Sequence, residues 1–66
     1  MDKELYYEIN TALEKLEELY NHIDNAISLS DDKSFLHDTL IIASRNLGMT
    51  RMKLQVANDV VKNTNN

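Results

Sequence analysis

Cysteine, proline and tryptophan are absent from this 66-residue chain, and glycine occurs once, at Gly48. Without cysteine there is no disulfide framework and no Cys-ligated zinc module. Without proline, nothing in the composition breaks a helix outright. No apolar run approaches the roughly 18 residues of a membrane span. Met1-Asp2-Lys3-Glu4 lacks the basic start and apolar stretch of a secretion signal, so a cytoplasmic protein is expected. A chain this short is one domain at most, and without staples it needs idealised helix packing or a partner.

Charge is present but uneven. The net charge is −4, with two lysines against seven acids in residues 1–30 and five basic residues against four acids in 31–66. The acidic half would repel nucleic-acid phosphates and anionic lipid. Its solvated carboxylates, Glu14, Glu17, Glu18 and Asp24 among them, form a candidate face for a basic protein partner.

Two helices follow from the apolar periodicity. Leu5, Ile9, Ala12, Leu16, Leu19, Ile23 and Ala26 alternate in steps of four and three, and Tyr6, Leu13, Tyr20 and Ile27 repeat every seven beside them. Together they make one apolar stripe roughly 100° wide. The stripe predicts a helix over about 3–28, with Asp2 as N-cap and acids suiting the first turn. Ser28-Leu29-Ser30-Asp31-Asp32 interrupts it, and Ser30 or Asp31 is the expected cap of the next helix. A link this short makes the helices antiparallel neighbours.

The second heptad runs through Leu36, Leu40, Ala43, Leu47, Thr50, Leu54, Ala57 and Val61 without a slip. It predicts one helix over about 32–62, continuous through Gly48, then a disordered polar tail at 63–66. A second row, Phe35, Ile42, Met49 and Val56, lies roughly 110° around from the first. One partner helix cannot cover both. The expected fold is therefore an all-α antiparallel two-helix hairpin that dimerises into a four-helix bundle, with Phe35, Ile42, Met49 and Val56 at the dimer or partner interface. This architecture resembles the Rop family of plasmid-encoded RNA-binding hairpins, which form dimeric four-helix bundles. The likeness stops at architecture, because the acidic first helix offers no basic face to RNA.

Signals for chemistry are weak. His22 and His37 are the two histidines, and Glu18, one turn before His22, is read as its ion-pair partner rather than a fellow metal ligand. The serines have no base beside them, and no glycine-rich phosphate cradle is present. No enzyme, cofactor or metal is expected. Residues 43–54 resemble a helix-turn-helix motif: in Leu47-Gly48-Met49-Thr50-Arg51, Gly48 would be the C′ glycine and Thr50 the next N-cap. That resemblance implies a DNA-binding regulator using residues 43–62, and the unbroken heptad competes for the same residues. The leading expectation is a small protein-binding module, a dimeric regulatory inhibitor or adaptor of the kind that phages and plasmids encode.

Overall fold

The computed structural model describes residues 3–64, without the side chain of Thr64. It has two helices, α1 (Lys3–Leu29) and α2 (Phe35–Thr64), packed along each other. Among the described residues there is no strand, and no helix is long and apolar enough to cross a membrane. Asp2, the expected cap of α1, and Asn65 and Asn66 of the expected tail lie outside the described residues. Asn63 and Thr64 continue α2.

The link occupies residues 30–34, and its hydrogen bonds explain where α2 begins. The Ser30 amide and hydroxyl both donate to the Ile27 carbonyl, at 3.2 and 2.8 Å, and close off α1. The Asp31 carboxylate accepts the Lys33 amide at 3.2 Å, a side-chain turn two residues long. The Asp31 carbonyl accepts the Ser34 amide at 3.0 Å and the Ser34 hydroxyl at 2.8 Å. The Ser34 oxygen then accepts the amide of His37 at 3.0 Å, which is N-cap geometry. The cap is thus Ser34, not Ser30 or Asp31. α2 starts three residues later than the periodicity suggests because Asp31–Ser34 are used in the turn.

Three side-chain contacts set the antiparallel register. Asn10 meets Asn58, Glu17 meets Arg51, and Tyr20 lies against Gly48; the paired residue numbers total 68 in all three. On α1 the seam is formed by Ile9, Leu16 and Ile23 with Tyr6, Leu13, Tyr20 and Ile27, all half-buried. On α2 it is formed by Leu40, Leu47, Leu54 and Val61, flanked by His37, Ser44 and Asn58. This corrects the expected seam. Leu5 and Leu19 stay 47% and 43% exposed, and Leu36 and Thr50 are also exposed. Each helix is rolled so that polar or small residues of α2 face α1. The reason is steric: Ser44 and Gly48 leave room for the large α1 side chains, and Asn58 finds a polar partner across the seam.

α2 is unbroken through residues 46–52, and Gly48 keeps a negative φ. The turn that a helix-turn-helix needs is not formed. Gly48 instead has a packing role, since a Cβ built there would lie 2.7 Å from the Tyr20 hydroxyl oxygen. Gly48→Ala would gain about 1 kcal/mol of helix propensity but must displace the Tyr20 tip. The gain is therefore expected to be largely cancelled in the native chain and to emerge, up to about 1 kcal/mol, in a Tyr20→Phe background. Urea unfolding of the four variants checks this; an identical Gly48→Ala effect in both backgrounds would remove the contact from the explanation.

Candidate interaction surfaces

The helical rows sort the remaining residues onto three surfaces. Because the helices are antiparallel, rows at equivalent offsets from the seam fall on the same side of the hairpin. One broad face carries Lys3, Asn10, Glu17 and Asp24 from α1 and Ile41, Gly48, Gln55 and Lys62 from α2. This is the polar face. Glu17 Oε1 meets Arg51 Nη1 there at 3.1 Å, with both side chains more than half exposed, so the bridge is worth no more than about 1 kcal/mol.

The opposite broad face carries Leu5, Ala12, Leu19 and Ala26 from α1 and Leu36, Ala43, Thr50 and Ala57 from α2. It contains no charged residue, and Thr50 is its one polar side chain. The alanines are half-buried and the leucines protrude. The leucines were expected inside the hairpin; they sit instead at its edge.

The third surface is the back of α2, turned away from α1. Phe35, Ile42, Met49 and Val56 lie there, between 55% and 87% exposed. Their row is one residue wide. Asp38, Arg45, Met52 and Asp59 line one side of it, and Thr39, Asn46, Lys53 and Val60 line the other. Glu14, Glu17, Glu18 and Asp24 are all exposed on α1, as expected. Glu18 pairs with Lys15 at 3.9 Å and not with His22. His22 lies level with residue 46 in the register, nine residues or about 13 Å along the axis from His37. His37 is half-buried and its Nδ1 bonds the Ser30 hydroxyl at 2.7 Å. Among the described residues no group of three or more His, Cys, Asp or Glu could hold a metal ion, and there is no pocket.

Asn58 is the one buried residue among those described, at 7% exposure. The Asn10 amide nitrogen donates to its side-chain oxygen at 3.0 Å and to the Tyr6 carbonyl at 2.8 Å. Neither asparagine belongs to the apolar rows from which the helices are read. The available signal was their placement: both flank the leucine-rich rows near the open end, where a pair of asparagines can satisfy each other.

No protein-family model, curated protein or solved structure matches the chain. The class rests on the fold itself: an all-α antiparallel hairpin with one charge-free broad face.

The asparagine pair yields a direct test. Asn58→Ala is expected to cost about 0.5–1.5 kcal/mol, because it strips Asn10 of its cross-helix acceptor. Asn10→Ala should then cost clearly less in the Asn58→Ala background than in the native one. A urea-unfolding double-mutant cycle measures the coupling, and strictly additive losses would show that the pair contributes nothing.

Proposed function

We propose that the chain is a homodimeric protein-binding module. Two hairpins associate as a four-helix bundle, and the dimer presents the acidic surface of α1 to a basic protein as a regulatory inhibitor or adaptor. The observation that carries this reading is the state of the core. Among the described residues no apolar side chain is buried, while eleven large hydrophobic residues are exposed. The chain exposes 5255 Å², whereas a compact monomer of 7.6 kDa exposes about 4,300 Å². The excess of about 1,000 Å² is close to the roughly 800 Å² that each partner contributes to a standard interface. The radius of gyration, 15.3 Å, also exceeds the roughly 11 Å of a compact chain of this length. A second copy fills that deficit without requiring any other molecule for folding.

The acidic surface supports the second half of the reading. Glu17 is engaged by Arg51 and Glu18 by Lys15, which leaves Glu14 and Asp24 as the carboxylates of this group outside any ion pair among the described residues. Carboxylates on an exposed helix steer and hold a basic partner, with a strength that falls as salt rises.

Sedimentation equilibrium at micromolar concentration is expected to give twice the chain mass. Glu14→Lys with Asp24→Lys should leave that mass unchanged but abolish salt-sensitive capture of a basic protein from host extract. A folded monomer would refute the dimer. Capture that survives the double charge reversal would refute the acidic docking surface.

A further inference from the structure

We infer that the dimer closes through the charge-free broad face, with α1 of one copy antiparallel to α1 of the other. This rests on the homodimer proposed above and specifies its face and topology. The occupant is a second copy because the uncovered area matches what a dimer of this chain needs, and because the face complements itself.

Three observations select this face over the back of α2. It draws residues from both helices, so one partner covers the flank of the whole hairpin. Its eight residues carry no charge and three charged side chains border it, Glu8 and Lys15 on α1 and Lys53 on α2, whereas four, Asp38, Arg45, Lys53 and Asp59, border the four residues of the Phe35/Ile42/Met49/Val56 row. Stripping water from such charges costs several kcal/mol each unless partners replace it. Finally, its large apolar residues, Leu5, Leu19 and Leu36 at 47%, 43% and 61%, are on the whole less exposed than Ile42, Val56 and Met49 at 55%, 59% and 65%. Phe35 on the back of α2 is 87% exposed.

The topology follows from size. Along α1 the face reads Leu5, Ala12, Leu19, Ala26, large and small in turn. A two-fold axis crossing α1 between Lys15 and Leu16 sets Leu5 against Ala26 of the second copy and Ala12 against Leu19, four large-on-small layers in all. No other antiparallel register of this row gives four such layers. The same axis crosses α2 near Met52 and Lys53 and brings Thr50 to within about two residues, roughly 3 Å, of level with Ala57 of the second copy, so the small residues let the two α2 helices approach. The hairpins then overlap over nearly their full length, with the links at opposite ends. The rival arrangement, α1 over α2 of the second copy with links at one end, opposes Ala12 to Ala57 and Ala26 to Ala43, small on small, and keeps large on small only where Leu19 meets Thr50.

Exchanging the sizes tests the arrangement. Ala12→Leu sets leucine on leucine, and Leu19→Ala sets alanine on alanine; each change occurs twice in the dimer. Each is expected to weaken dimerisation at least about tenfold, measured by sedimentation with helicity followed by circular dichroism. The double variant restores large on small and is expected to return to within about threefold of the native affinity. As a second readout that does not depend on affinity, chains carrying Ala12→Cys and Leu19→Cys, mixed and treated with a short bis-maleimide, are expected to cross-link to each other. The absence of native cysteine keeps that background clean.

Two results would overturn the inference while sparing the dimer. One is a dimer indifferent to all three size variants but broken by Ile42→Glu, which places the interface on the back of α2. Another is efficient cross-linking of Ala12→Cys with Ala57→Cys in place of Leu19→Cys, which selects the rival topology. A native chain that is monomeric at every concentration overturns the dimer itself, and this face then belongs to a different protein.

Discussion

Two helices in contact can cover only one strip of each other, and the rest of this structure depends on that constraint. The strip used here is narrow. It runs along Ile9, Leu16 and Ile23 on α1 and Leu40, Leu47 and Leu54 on α2, all of which remain half-buried. No rearrangement of a lone hairpin would do much better, because each of these side chains has a neighbour on one side and solvent on the other. The hydrophobic driving force of the fold is therefore incomplete within one chain.

What the hairpin lacks in apolar burial it partly replaces with contacts that define register. Asn10–Asn58, Glu17–Arg51 and Tyr20–Gly48 lie along one flank at the same antiparallel offset. A leucine-rich seam tolerates sliding by one heptad, since every layer looks alike. A paired asparagine near the open end and a glycine beneath a tyrosine do not, because displacement leaves a buried amide without its partner or drives a ring into backbone. Polar and small residues in the seam thus contribute specificity more than stability. They also account for the roll of the helices that brings Leu5, Ala12, Leu19 and Ala26 to the hairpin's edge.

The helices, their antiparallel pairing and the continuity through Gly48 were legible in the sequence because each leaves a periodic signal: steps of four and three through Leu36–Val61 without a slip. The roll of each helix was not. A heptad pattern names the apolar rows but not which of them meets the neighbour, and α1 has three candidate rows within its stripe. The choice was made by Ser44, Gly48 and Asn58, whose importance lies in what they sit opposite, a relation that no single-strand pattern contains. The start of α2 was misplaced for a similar reason: Ser30, Asp31 and Ser34 are all competent caps, and the hydrogen bonds within Asp31–Ser34 selected the last. Phe35, Ile42, Met49 and Val56 lie exposed on the back of α2, and the charged residues beside them become visible only once the rows are placed side by side.

On this reading one hairpin does not bury enough to stand by itself. Thermal unfolding followed by helicity, repeated over a hundredfold range of chain concentration, tests it most directly, because association stabilises only the folded state and must move the midpoint by mass action. A single cooperative transition whose midpoint climbs steadily with concentration is expected. A sharp transition at one fixed temperature across that range would contradict it, since a monomer would then be holding itself together on a half-covered seam.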